Sequence, residues 1–248
     1  NNSLLLNALI LFLVGFIPAL LVYFTTARGT ENFKFILSFS GAYLFSITVI
    51  HILPEAVTES GNFKLAGIFV LLGYFLQMLI EYFSTGVEHG HIHLHDNDTG
   101  SKKYFIMLAM CVHGLLEGSL LMHPSHMHAE GDHNTLLIGL VLHKLPEAFA
   151  LAAVLIGLLK YRVSIFGWQL VFALASPLGL FASDYLSDQG ILDAEGMGLL
   201  FALLAGNFLY ISTTIFFESN PQHKFKASRL VMSVLGAVTA VVVEYVLG

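Results

Sequence analysis

Charge is scarce in this sequence: of its 248 residues, 11% are Asp, Glu, Lys or Arg, against 56% hydrophobic. Soluble globular chains carry about a quarter charged residues, so that class is excluded. Cysteine is nearly absent as well, with Cys111 alone, which excludes an internal disulfide and any C-x-x-C pair. Basic residues are few, 11 Lys and Arg against 17 Asp and Glu, for a net charge of −6 without a basic block. Nucleic acid is thereby excluded as a partner. There is no P-loop and no G-x-G-x-x-G fingerprint after a strand, so nucleotide-driven work by this chain alone is not expected.

Long apolar runs are what the sequence has in abundance. A helical span needs about 20 mainly apolar residues, and eight such stretches follow one another: 4–24, 33–54, 65–83, 103–122, 135–158, 163–183, 197–217 and 228–247. They are too long for the roughly 10-residue alternating strands of an outer-membrane barrel, which leaves an all-α membrane protein. The first stretch has no preceding basic residue and no A-x-A site, so it reads as a true span rather than a signal peptide. The connectors between spans are short, and residues 1–248 read as one transmembrane domain. Small residues at helix-contact spacing, such as Gly179 after Pro177 and Gly196, Gly198 and Gly206, point to close helix packing.

The basic residues fall on alternate connectors. Arg28 and Lys34 flank the first, Lys102 and Lys103 end the third, Lys160 and Arg162 form the fifth, and Lys224, Lys226 and Arg229 mark the seventh. The even connectors are acidic, with Glu55 and Glu59, then Glu130 and Asp132, then Asp184, Asp188, Asp193 and Glu195. By the positive-inside rule the odd connectors face the cytoplasm and both termini face outward, as in a multi-pass protein of the cell membrane.

Histidine is the other excess: 12 outnumber the Lys and Arg together. An ionisable side chain near mid-bilayer is costly and marks function by default. The fourth span places His113 and Glu117 there, and the fifth places His143, Lys144 and Glu147. Both spans thus hold the unit H-x-x-x-E, whose two side chains project from nearly one helix face. If the two faces meet, two imidazoles and two carboxylates converge on a point suited to Zn(II), Fe(II) or Mn(II). Lys144 is expected to face that interior, pair with Glu117 or Glu147, and repel a second metal. Pro146 sits between His143 and Glu147, removes a helical hydrogen bond and loosens the wall beside the ligands; Gly118 thins the opposite wall.

The end of the second span repeats the unit as HILPEA, with His51 and Glu55, readable as an outer ligand set or a polar helix end. Two connectors hold further histidines: His123, His126, His128 and His133 on the outer side, and His89, His91, His93 and His95 in a His-rich cytoplasmic loop, 84–102. Such tracts bind transition metals without specifying which.

H-x-x-x-E-G in the fourth span, H-K-x-P-E-A in the fifth, HILPEA in the second, ASPLG in the sixth and AGNFLY in the seventh together resemble the ZIP (Zrt, Irt-like protein) family of metal transporters along nearly the whole chain. The resemblance implies a 3+2+3 bundle of eight transmembrane helices with an inverted repeat, moving by an elevator-like or rocking alternation. It implies import of a divalent metal into the cytoplasm, with His113, Glu117, His143 and Glu147 at the transport-site positions. Where some members hold a second metal through Asn, Asp and a sixth-span Glu, this chain has Gly114, Lys144 and Ser176, which abolishes that site. Tyr43 stands where some members place a metal-contacting Met and is not expected to be a ligand.

The expected function is therefore import of Zn(II), with Fe(II) or Mn(II) as further substrates and no prosthetic group. An intramembrane zinc metallohydrolase is the competing reading, but H-E-x-x-H is absent and four protein ligands leave little room for an activated water. A non-transporting sensor lacks a signalling domain. The expected partners are metal ions and lipid, and a homodimer is compatible with all of this.

Overall fold

A polypeptide crossing a bilayer must pair every backbone N–H and C=O internally, and apolar runs of this length do so as helices. The computed structural model describes residues 2–24, 31–84, 102–121, 131–159, 161–218 and 227–247, and among these there is helix and no strand. The histidine tract 89–95 and His123, His126 and His128 lie outside the described residues, as does the side chain of His133. The first three spans are α1 (Asn2–Phe24), α2 (Glu31–Ile47) continued through a π turn (Thr48–Ile52) into α3 (Leu53–Ser60), and α4 (Phe63–Ser84). The central pair is α5 (Lys102–Ser119) and α6 (Gly131–Leu158); the last three are α7 (Arg162–Asp188), α8 (Ala194–Glu218) and α9 (Ala227–Leu247).

Seven of these passes are long and apolar enough to cross a membrane. The expected eighth, α5, misses on composition because Lys102, Lys103 and Glu117 fall within its 18 residues. Its direction nevertheless fits a crossing helix. It runs parallel to α7, with Tyr104 against Trp168, Gly114 against Ser176 and Ser119 against Ser183. It runs antiparallel to α6, with His113 opposite Glu147 and His143 opposite Glu117. Farther apart in the chain, α2 is parallel to α9, since Phe39 meets Gly236 and His51 meets Glu244. This alternation holds when α5 crosses like its neighbours.

The neighbour relations also exchange in pairs. The third span packs on the seventh as the eighth packs on the second; the fourth packs on the sixth as the fifth packs on the first; the third touches the fourth as the eighth touches the fifth. Exchanging the first three spans with the last three, and the fourth with the fifth, maps each of these contacts onto another. Each exchanged pair has opposite parity and so opposite direction, which is the inverted 3+2+3 arrangement.

Burial sorts the spans. The membrane stretch of α6 is 67% buried, against 28% for α1, 22% for α4 and 17% for α9, so α6 is the central post and the other three face lipid. Helix contacts are set by glycine, as the spacing suggests. A β carbon at Gly118 would run into the Ser176 carbonyl, one at Gly179 into the Leu115 carbonyl, and one at Gly206 into the Val70 carbonyl. Gly118 therefore serves the α5–α7 contact rather than thinning a wall. Gly196, by contrast, meets only its own turn at Leu192 and Asp193. Gly179→Val is expected to destabilise the fold by about 1–3 kcal/mol or more through overpacking. Gly67→Ala, which would meet open space, is expected to leave it unharmed. Thermal denaturation of the two variants followed by gel filtration checks this.

The second span runs farther than its sequence suggests, to Ser60 instead of 54, and Gly61 ends it in a left-handed conformation at φ 60°. Pro54 does not stop the helix because it enters at the first turn of α3, where a missing N–H is tolerated. Just before it, the Leu53 N–H reaches back five residues to Thr48 O, inserting one extra residue into the turn that carries His51.

Candidate metal centre

The centre is built where α5 and α6 cross. On each helix a histidine and a glutamate four residues apart stand one above the other. Because the helices are antiparallel, the histidine of one faces the glutamate of the other. His113, Glu117, His143 and Glu147 each offer one donor atom, and the four atoms lie within 4.8 Å of one another. All four side chains are buried, at 0–1% exposure. His113 Nε2 is 3.3 Å from Glu117 Oε1 and 3.7 Å from Glu147 Oε1, and His143 Nε2 is 3.6 Å from Glu117 Oε1. The two imidazole planes are nearly perpendicular, at 84° with centroids 5.8 Å apart.

Those separations are informative. Ligand atoms held about 2.0–2.2 Å from a tetrahedral ion are about 3.3–3.6 Å from each other. These three His–Glu spacings match the edges of a small coordination polyhedron better than they match direct hydrogen bonds of about 2.7–3.2 Å. Glu117 Oε1 and both ring nitrogens of His143 are buried without a hydrogen-bond partner. Buried polar atoms left in that state are costly, and a cation among them would satisfy several at once.

Lys144 lies where its neighbours in sequence suggest. Its Nζ donates to Glu117 Oε2 at 2.7 Å, sits 3.8 Å from Glu147 Oε2, and approaches the Phe172 ring to 4.5 Å from its centroid. Glu117 therefore divides its oxygens, one toward the four-donor centre and one toward the ammonium. The chamber around Nζ is tight. A β carbon on Gly114 would lie 3.5 Å from Nζ and 3.4 Å from Ser176 Oγ, and Ser176 Oγ donates to the Gly114 carbonyl at 2.8 Å. Gly114 thus lies between the Lys144 ammonium and Ser176, where a side chain would meet both. Pro146 is buried within α6, which continues through it.

The walls come from other spans: Phe172 and Ser176 on α7, Gly15 on α1, and Phe208 on α8, whose ring is 6.3 Å from that of His143. Gln169 ties three helices together, its Nε2 donating to Gly15 O and Ala148 O at 2.8 and 3.2 Å. Asn207 of the AGNFLY stretch donates to Gln77 Oε1 at 2.7 Å and clamps α8 to α4. Tyr43 is fully buried, with its hydroxyl lacking a hydrogen-bond partner and its ring against Gly139. It is not among the four converging donors.

His51 and Glu55 stand apart from this centre, at the end of the second span, with His51 Nε2 3.3 Å from Glu55 Oε2. Sequence reasoning missed their third member, Glu244 of α9, whose Oε1 is 2.8 Å from His51 Nδ1. The signal was available: Glu244 is the single acidic residue in the last apolar run. Gln77 and Gln169 were missed too, although buried amides within apolar runs demand partners.

The comparisons with known proteins agree in kind. The ZIP zinc transporter family matches residues 88–244. Zinc transporter ZIP9 of Micropogonias undulatus is 30% identical over 156 residues, covering 59% of this chain and 49% of the relative. Zinc transporter ZIP9-B of Xenopus laevis is 28% identical over 158 residues, covering 59% and 50%. The chain spans about half the length of these curated relatives. Zinc transporter ZIP1 of Danio rerio is 23% identical across 89% of this chain and 87% of its own length.

Proposed function

This chain belongs to the ZIP zinc transporter family, and from that premise we propose that it imports a divalent transition metal, Zn(II) foremost, with Fe(II) and Mn(II) as further substrates. The observation that carries the reading is the convergence of His113, Glu117, His143 and Glu147 on one buried point in the centre of the bundle. The family is one of transporters, so a hydrolase is set aside. The positive-inside asymmetry supports outward termini, and delivery to the cytoplasm is what the family resemblance implies.

The mechanism follows from which helices carry the donors. Spans α1, α5, α6 and α7 pack mainly on one another, while α2, α3, α4, α8 and α9 form a second set of mutual neighbours. All four donors and Lys144 ride on the first set. Displacement of that set against the second would expose the centre to one side and then the other with every ligand retained. Neutral His113 and His143 present Nε2 lone pairs, and Glu117 and Glu147 supply the negative charge that the metal neutralises. Lys144 fixes the occupancy at one metal, because its ammonium fills the space between Glu117 and Glu147 on the side where a second ion would sit.

Proteoliposomes loaded with a metal-sensitive dye test the proposal. External Zn(II) is expected to raise the signal with the wild type and not with Glu147→Ala. If Zn(II), Fe(II) and Mn(II) all leave the wild-type signal flat, the importer reading fails.

A further inference from the structure

Where α4 meets α5, the two helices enclose a groove of about 190 Å³ on the outside of the bundle, lined by apolar side chains alone. Ile80 of α4 and Ala109 of α5 are buried and form its floor, while Phe83, Phe105 and Leu108 are 41%, 50% and 63% exposed and form its rims. The Phe83 and Phe105 rings stack with centroids 5.8 Å apart and close one end. Along α5 the groove runs from Phe105 to Val112, about 10 Å at 1.5 Å per residue. The hydrocarbon of one leaflet is about 15 Å thick. The groove therefore follows most of one leaflet, and its inner end adjoins His113 of the metal centre in the chain.

Its surroundings point to the occupant. Beside Phe83 and Phe105, Tyr82 and Tyr104 are 78% and 57% exposed, as aromatic side chains are at the headgroup level of a membrane. Lys102 and Lys103 open α5. Lys102 stands three and seven residues before Phe105 and Ala109, which puts it on the groove's face of the helix. A single chain of methylenes fits such a channel, whereas a helix is about 10 Å across with its side chains and does not. A second copy placed about a twofold axis on this seam would also bring the two lysine pairs together. Apolar contact gives little preference here, because lipid tails are as apolar as leucine. The preference comes from charge: each basic residue near the membrane surface favours anionic lipid by about five-fold.

We propose that this groove binds one acyl chain of an anionic phospholipid, with the headgroup at the level of Lys102 and Lys103. The position gives the lipid a role. α4 belongs to one of the two helix sets and α5 to the other, so a chain seated against both holds them in the register seen here. It must leave when α5 slides along α4. A ligand that prefers one state slows departure from it by no more than that preference. Bound lipid thus brakes the displacement of the two sets; the brake rests on the transport reading, and the binding does not.

Native mass spectrometry of the full-length chain, with phosphatidylglycerol or phosphatidylcholine of identical acyl chains, tests the binding. One phosphatidylglycerol is expected to be retained about five-fold or more in preference. Lys102→Ala combined with Lys103→Ala should abolish the preference, and Ala109→Phe, which fills the floor, should abolish the adduct with either lipid. Gel filtration confirms folded protein, and the double lysine variant decides the matter if Ala109→Phe does not fold. In proteoliposomes at saturating Zn(II), phosphatidylglycerol is expected to lower the maximal rate of the wild type about two- to five-fold, within the preference for the bound state. The double lysine variant should run equally fast in both vesicles. Equal retention of the two lipids, a preference that survives the lysine substitutions, or a wild-type rate indifferent to lipid charge overturns the proposal. So does a dimer that Ala109→Phe converts to monomer with the lipid adduct intact, which would assign the groove to a second copy. Preferential retention by a chain that moves no metal in either vesicle would instead sink the transport reading and leave the lipid site standing.

Discussion

Glu117→Gln is expected to lower Zn(II) uptake by more than about a hundredfold, beyond the 10–100-fold typical of residues that only support a ligand. Glu117 is the hub of the centre. One oxygen lies 3.3 and 3.6 Å from the two histidine Nε2 atoms, and the other accepts from Lys144 at 2.7 Å. Glutamine keeps the shape but has one neutral oxygen and an NH2 that cannot ligate a cation. Whichever way the amide turns, either the metal or the ammonium loses its partner. Glu147→Gln removes a donor but leaves the close Lys144 pair intact, since Glu147 is 3.8 Å from Nζ. The expected order is therefore a larger loss for Glu117→Gln than for Glu147→Gln. Dye-loaded proteoliposomes, with gel filtration to confirm folded protein, measure both. Wild-type uptake by Glu117→Gln would remove the hub from the mechanism.

Lys144→Met is expected to reduce the stability of the metal-free chain by about 3–5 kcal/mol, the usual result of stripping one partner from a buried ion pair. Lys144 and Glu117 are each at most 1% exposed. In the wild type, two carboxylates and one ammonium leave the empty centre with one negative charge, and a divalent ion turns this to one positive. Without the ammonium the empty centre holds two negative charges and the loaded one is neutral. Metal should therefore stabilise the variant more than the wild type, by mass action on a tighter site. Thermal denaturation with and without Zn(II) gives the two shifts, and a smaller Zn(II)-induced rise in Lys144→Met would contradict this account. The same reasoning expects a lower apparent KM and a lower maximal rate, because release is slowed when the resident cation no longer opposes the metal.

The central quartet was legible because its signal is local. A histidine and a glutamate four residues apart share a helix face whatever the rest of the chain does, and two such units in consecutive apolar runs have few alternatives to meeting. Lys144 was legible for a related reason: an ammonium in mid-membrane must find carboxylates, and Glu117 and Glu147 were the nearest in depth. Glu244 was not read, because nothing within α9 indicates which helix it touches. Its pairing with His51 depends on α9 lying beside α2 in parallel, some 190 residues away in the chain. The true end of the second span was also hidden, since Pro54 reads as a stop and becomes a first-turn residue only through the preceding π turn.

The sequence by itself determined the class, because hydropathy and helical periodicity are properties of single segments: scarce charge and eight apolar runs specify a helical membrane bundle. It determined the four candidate donors as well. Tertiary structure decided everything that needs one helix to know its neighbour. It set the 3.3–3.7 Å His–Glu spacings, the division of Glu117 between the four-donor cluster and the ammonium, the glycine contacts that let α5 and α7 approach, and the contact of Glu244 with His51. Distances of that kind arise from the relative placement of helices, which packing fixes and segment composition leaves open.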